Sequence, residues 1–336
     1  MDALTGFLPQ VWFCILGLFL FLYITLDGFD LGVGILSLTA SSEARRSILM
    51  TSLGNVWDAN ETWVVLLGGA LFGAFPLAFG TILNALYLPA VAMIVGLILR
   101  AVAFEFRENS DNKLVWNFIF GIGSFLAALG QGFALGSVFE GITVDADGHF
   151  AGGMWDWLTW RSVLVALTLV QAYVLIGSTY LILKTSGTLQ SVHFKTAKIA
   201  TISTTLGAAL ITIGTPIFFE QIRDKLFEPP LLYIFGAIPV LALGLIVALF
   251  YCLNQKYERL PFILTLLIFL LSFLGLGLII FPYIIPSTIT IYQAASSPSS
   301  MVFMLTFISV LIPIMLFYNI YNYIVFRGKI SDVSEL

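Results

Sequence analysis

Nine apolar stretches, each long enough to cross a hydrocarbon core, dominate this 336-residue sequence. A bilayer requires roughly 20 apolar residues per helix, and windows of that kind fall at 8–38, 49–75, 77–105, 114–140, 160–184, 197–219, 231–254, 261–285 and 301–326. Hydrophobic residues make up 59% of the chain and charged ones 10%, and the mean hydropathy is +1.00. A water-soluble globule has no interior large enough to hide so much apolar surface. The expected fold is therefore an all-α polytopic membrane protein, one integral membrane domain over residues 1–336. No linker, low-complexity tract or basic nucleic-acid patch interrupts it. The opening MDALTGFLPQVW lacks the basic region of a signal peptide, so the first segment is expected to be retained.

The basic residues orient the spans. With the N-terminus outside, the inner loops and tail hold Arg45, Arg46, Arg107, Lys113, Lys184, Lys195, Lys198, Lys256, Arg259, Arg327 and Lys329. The outer side holds Arg161, Arg223 and Lys225, and Arg100 lies inside a span. The positive-inside rule then selects an outer N-terminus and a cytoplasmic C-terminus, and the clean partition supports nine spans. Trp155, Trp157 and Trp160 fit an outer aromatic belt. LLGGALFGAFPLAFGTIL and FLGLGLIIFPYIIPSTIT echo each other, through duplication into two pseudo-repeated bundles or through shared turn chemistry at helix ends.

Charges inside spans are costly and usually face a bundle interior or a wet path. Here they converge. Asp27 and Asp30 in ITLDGFDLGVG, Asp58 and Glu61 in WDANETW, and Arg100 with Glu105 in LRAVAFEFR belong to three successive spans. Asp27 lies roughly 16 Å before the inner end of its helix, at 1.5 Å per residue, and Asp58 is expected at a similar depth. The patterns Gly28-x-x-x-Gly32 and Gly69-x-x-x-Gly73 would let these neighbouring helices approach closely. A buried ion pair that fixes helix register accounts for Arg100 with one carboxylate, Asp30 or Glu61 among them. One arginine does not neutralise four carboxylates, however, and the surplus must take up protons or hold a cation.

Other chemistry is disfavoured. Cys14 and Cys252 form no Cys-x-x-Cys pair, and His149 and His193 are placed in loops and read as solvent-facing. No metal centre or haem is expected on this chain. Trp57 and Trp63 flank the polar group; Trp57 has an indole N–H to offer a carboxylate, and packing alone explains each ring equally well. An ion-coupled secondary transporter using Asp27 and Asp58 is one alternative. It would favour helices broken near the midplane, and Pro89, Pro216, Pro239 and Pro313 are not beside the aspartates. A purely structural scaffold subunit is another.

DGFDLGVG, RRSIL, WDANETWVVLLGGALFGAFP, LRAVAFEFR, FPYIIPST and the closing SVLIPIMLFYNIYNYIVFRGKI resemble subunit II of cytochrome bd-type quinol oxidases over essentially the whole chain. The resemblance implies about nine helices in two four-helix-bundle-like groups plus one, in a bacterial cytoplasmic membrane. It implies a heterodimer core with a subunit I that carries two haems b, one haem d and the quinol site. Small single-helix accessory subunits, membrane lipid and a structural quinone are further partners of that kind, and nucleic acid is not. The complex would oxidise quinol and reduce dioxygen to water, taking protons from the cytoplasm electrogenically without pumping. By position, Asp58 and Trp57 match the family's proton-path residues at the subunit interface, with Asp27 and Glu61 added to that path here. Trp63 matches an oxygen-route residue, and Asp30, Arg100 and Glu105 are assigned to structural polar or ion-pair roles. Val56 and Glu61 stand where some members carry His and Gln.

Overall fold

The computed structural model describes residues 6–54, 56–229 and 231–330. The side chains of residues 221, 222, 225 and 231 also lie outside the described set, which removes Lys225 from the charge comparison. Helix α1 (Leu8–Ser37) carries a proline in its first turn, where the missing N–H costs nothing, and then runs unbroken through both aspartates. Helix α2 (Glu43–Leu53) starts at Ser42, whose hydroxyl accepts the backbone N–H of Arg45, and stops at Gly54, where φ is +57°. Helices α3 (Trp57–Ala74), α4 (Pro76–Ala85), α5 (Tyr87–Glu108) and α6 (Lys113–Glu140) follow. After the 141–159 loop come α7 (Trp160–Lys184), opened by a Thr159–Ser162 capping box, α8 (Gly187–Phe218), α9 (Glu220–Phe227), α10 (Leu231–Asn254) and α11 (Leu260–Ile280). An antiparallel pair, β1 (Tyr283–Ile285) and β2 (Ile289–Thr290), aligns Tyr283 with Thr290 and Ile285 with Ile289. A short α12 (Ile291–Ala294) leads into α13 (Pro298–Val325).

The all-α polytopic class holds, with changes in detail. Among the described residues, eight helices are long and apolar enough to cross a membrane: α1, α5, α6, α7, α8, α10, α11 and α13. The expected second span, 49–75, is not one helix. It breaks at Gly54, so Asp58 lies in the first turn of α3 instead of deep within a continuous span. The third window, 77–105, also divides, at Leu86. Pro89 is the reason: it sits in the opening turn of α5, where its missing N–H is harmless, whereas inside a continuous helix it would remove a hydrogen bond and clash. The two echoed segments share a helix ending just before Phe-Pro, at Phe75 and at Phe281, and then diverge into a helix and a strand pair.

Helix α1 is central and packs on α3, α6 and α7. Its N-terminal half (Trp12, Leu16, Phe19) joins Trp63, Ala70 and Ala74 of α3 and Ile285 and Ile289 of the strand pair in one apolar core. Its C-terminal half (Phe29, Leu31, Val33) joins Leu49 and Leu53 of α2 and Leu175 and Leu181 of α7 in a second. The closest approach is to α7 and not to the neighbour expected from the glycine pattern. A Cβ on Gly32 would lie 1.9 Å from the Tyr173 carbonyl oxygen, and one on Gly177 would lie 2.7 Å from the Gly32 carbonyl carbon. Gly73 makes room for the Met304 sulfur of α13, whereas Gly69 meets nothing within 4 Å.

A buried cluster ties α2, α5 and α6. Arg107 Nε donates to Asn117 Oδ1 at 2.6 Å, its Nη2 donates to Ser47 Oγ at 2.7 Å and to Glu43, and Asn117 Nδ2 donates to Glu43 Oε2 at 2.6 Å. Arg107 thus ties three helices together. The change Arg107→Leu is expected to cost about 2 kcal/mol, the weight of hydrogen bonds to a charged group. The check is the melting temperature of the solubilised protein; an unchanged melt would leave the cluster without structural weight.

His193 corrects an expectation. It lies in the second turn of α8, buried, with no hydrogen-bond partner for either ring nitrogen among the described residues. The helix begins at Gly187, ten residues before the apolar window, because its polar first turns lie beyond what a hydropathy window detects. His149 is exposed, in a loop whose turn is held by Asp145 Oδ1 accepting the backbone N–H groups of Asp147 and His149.

Candidate functional site: a buried charge cluster between two apolar cores

Residues 23, 27 and 30 recur at helical spacing on one face of α1, so Tyr23, Asp27 and Asp30 point the same way. Both aspartates are completely buried, at 0% exposure, and Arg100 is 2% exposed. Arg100 reaches in from α5. Its Nη2 lies 2.6 Å from Asp27 Oδ1 and also pairs with Glu61 Oε1, which α3 contributes with 23% of its side chain exposed. Three helices therefore meet at one guanidinium.

Asp30 is held separately. Asn60 Nδ2 donates to Asp30 Oδ2 at 2.8 Å and to the Leu26 carbonyl at 3.3 Å, and Asn60 Oδ1 accepts the Tyr323 hydroxyl of α13 at 3.0 Å. On the other side of Asp27, Gln131 of α6 donates from Nε2 to the Tyr23 hydroxyl at 2.7 Å. Its Oε1 accepts the Tyr173 hydroxyl of α7 at 2.5 Å. The result is a polar layer across six helices, set between the two apolar cores.

Three carboxylates, Asp27, Asp30 and Glu61, share this one guanidinium. In a low-dielectric interior, uncompensated carboxylate charge is met by a proton or a cation. Several buried atoms also have no protein hydrogen-bond partner among the described residues: both Asp27 oxygens, Asp30 Oδ1, and Arg100 Nε and Nη1. Buried polar groups of that kind are uncommon and mark sites of exchange or strain.

The remaining expected site residues separate from the cluster. Asp58 is exposed, in the first turn of α3, where the helix N-terminus favours an anion. Trp57 does not bond a carboxylate among the described residues; its ring packs on Phe104 at 5.4 Å. Trp63 is fully buried against Phe19, ring centroids 5.8 Å apart, with its indole N–H unpartnered. Glu105 is exposed and takes part in no ion pair among the described residues, because helical rotation turns it away from the face that carries Arg100 and Arg107. Tyr23, Asn60, Gln131, Tyr173 and Tyr323 were not singled out from the sequence. The available signal was Gln131, an amide in the otherwise apolar run ALGQGFAL.

The match to known proteins covers nearly the whole chain. Residues 8–326 match the family described as cytochrome bd terminal oxidase subunit II. The chain is 26% identical to cytochrome bd-I ubiquinol oxidase subunit 2 of Escherichia coli (strain K12), covering 96% of this chain and 94% of that protein. It is 27% identical to cytochrome bd ubiquinol oxidase subunit 2 of Bacillus subtilis (strain 168), with 98% of each covered. In fold it is similar to a chain in the structure of bd oxidase from Geobacillus thermodenitrificans, with a TM-score of 0.77 and 20% identity over 94% of this chain and 98% of that one. An all-α membrane fold, a buried carboxylate–arginine cluster on α1, α3 and α5, and a full-length family match lead to one assignment: the chain belongs to the cytochrome bd terminal oxidase subunit II family.

Proposed function

We propose that this chain is the haem-free subunit II of a quinol-oxidising, dioxygen-reducing complex in a bacterial cytoplasmic membrane, where it pairs with a haem-bearing subunit I. On this reading the two haems b and the haem d belong to subunit I and supply the redox chemistry there. This chain helps deliver cytoplasmic protons and membrane-dissolved oxygen to haem d. The observation that carries the reading is the buried cluster in which Arg100 serves Asp27, Asp30 and Glu61. Protons need polar groups to cross an apolar layer, and this cluster supplies them between two apolar cores. Glu61, partly exposed, opens the cluster towards the side of α3 on which Asp58 stands exposed beside Trp57. Asp58 on that uncovered face is where a partner subunit would take over the path. Trp63, in the apolar core beside Phe19, is assigned to the oxygen route, which requires a dry passage.

The test uses the assembled two-subunit enzyme. Asp27→Asn and Asp58→Asn are each expected to lower quinol-dependent oxygen consumption at least about tenfold, as removal of a proton-transfer group does, with haem content unchanged. Full turnover with full haem in both variants would remove these aspartates from the mechanism.

A scaffold role has one observation in its favour: Arg100 joins Asp27 of α1 to Glu61 of α3, a geometry that fixes helix register. Loss of haem in the same variants would point to that role. The transporter reading gains no support at Asp27, since α1 runs unbroken past it and the interior prolines Pro216, Pro239 and Pro313 lie in α8, α10 and α13. The break beside the other aspartate is at Gly54, before an exposed Asp58.

A further inference from the structure

Each buried aspartate has a tyrosine-bonded carboxamide nearby: Asn60 bonds Asp30 directly, and Gln131 bonds Tyr23, one helical turn before Asp27. Asn60 has a single orientation. Its Nδ2 faces Asp30 Oδ2 and the Leu26 carbonyl, and a carbonyl can only accept. Turning the amide would set its oxygen against the Leu26 carbonyl, which is an acceptor whatever the protonation state of Asp30. Gln131 has two orientations, because both its neighbours are phenols, Tyr23 at 2.7 Å and Tyr173 at 2.5 Å, and a phenol can donate or accept.

Tyr23 precedes Asp27 by one helical turn on the same face of α1. Its hydroxyl oxygen accepts from Gln131 Nε2, which leaves its own O–H to donate, and the buried Asp27 oxygens have no hydrogen-bond partner among the described residues. An ionised Asp27 would draw the Tyr23 O–H, leaving the Tyr23 oxygen to accept from Gln131 Nε2 while Gln131 Oε1 accepts from Tyr173, the two amide bonds the structure holds. When Asp27 carries a proton, its O–H donates to the Tyr23 oxygen, and the Tyr23 O–H donates to Gln131 Oε1. The amide turns over, and Nε2 donates to the Tyr173 oxygen. In this scheme each link can be a hydrogen bond in both states, and no covalent bond other than the Asp27 O–H forms or breaks. The charged and titratable groups facing Asp27 are Tyr23 and Asp30 on its own helix, Glu61 on α3, Arg100 on α5, Tyr173 on α7 and Tyr323 on α13. Of the two chains, the one through Gln131 reverses and the one through Asn60 does not.

We propose that Gln131 is the positioning residue that makes Asp27, and not Asp30, the proton-exchanging aspartate of the cluster. Its functional meaning rests on the proton-supply reading above, but its structural content does not.

The experiment is pH-difference infrared spectroscopy of the reconstituted two-subunit complex, with oxygen consumption measured on the same preparations. The protonated-carboxyl C=O band is expected to vanish in Asp27→Asn and persist in Asp30→Asn. In Gln131→Met, which keeps the side-chain length, that band is expected to move, the accompanying side-chain amide signal to disappear, and turnover to fall about five- to tenfold, the weight of one buried hydrogen bond. A band that belongs to Asp30, or one unmoved in Gln131→Met, would overturn the proposal. Should Gln131→Met fail to assemble, Tyr173→Phe removes only the outer hydrogen bond of the amide and is read in the same way. Coupled infrared signals with undiminished turnover in Asp27→Asn would uphold the switch and remove the proton-supply reading instead.

Discussion

Replacing Arg100 with methionine is expected to abolish stable assembly. The side chain is 2% exposed and pairs with a fully buried aspartate and a partly buried glutamate. Removing one partner from a buried ion pair costs about 3–5 kcal/mol, because the other charge is left without compensation. That is a large fraction of the total stability of a typical protein. Here the orphaned groups include two aspartates on one helix face. The expected result is little or no protein in the membrane fraction and no haem-bearing complex. Normal yield with full haem would show that the cluster carries no net negative charge in the folded protein.

The same argument predicts partial rescue. In Arg100→Met with Asp27→Asn, the guanidinium and its closest carboxylate leave together, so much of the penalty disappears. Residues in one ion-pair network are non-additive by about 0.5–3 kcal/mol, and the double variant is expected to accumulate better than Arg100→Met alone. If turnover stays low while assembly returns, the structural and proton-carrying roles of Asp27 separate experimentally.

Much of this arrangement was legible in the sequence, and the omissions have physical causes. Hydropathy marked the spans because the bilayer demands length and apolarity of each segment independently. It did not register the break at Gly54 or the polar start of α8, since a window averages across both. The convergence of Asp27, Glu61 and Arg100 followed from spacing on successive helices. Their partners did not, because Gln131, Tyr173 and Tyr323 come from α6, α7 and α13, and only tertiary packing decides which polar side chain of a distant helix meets the layer. Asp58 was misplaced in depth for the same reason as the span that holds it: once α3 begins at Trp57, Asp58 belongs to a helix N-terminus. Glycine spacing indicated a close contact between the first two spans, and Gly32 meets α7 instead.

That contact carries the other large effect. Gly32→Leu is expected to prevent folding, and even Gly32→Ala to lower expression severely. The methyl group would stand 1.9 Å from the Tyr173 carbonyl oxygen, 2.7 Å from the carbonyl carbon and 3.1 Å from the Gly177 Cα, all backbone atoms that no rotamer change can move away. Overpacking a tight core costs about 1–3 kcal/mol when side chains can adjust, and here two helices must separate instead. The separation acts on function as well as stability, since Tyr173 is the residue displaced and its hydroxyl anchors Gln131. Gly69→Ala is the matched control. It changes the same residue type within a helix where nothing lies within 4 Å, and alanine is favoured over glycine there by roughly 0.5–1 kcal/mol. Equal expression of Gly32→Ala and Gly69→Ala would mean that α1 and α7 do not approach at Gly32 and Gly177. A selective loss in Gly32→Ala identifies that crossing as the contact that holds the polar layer in register.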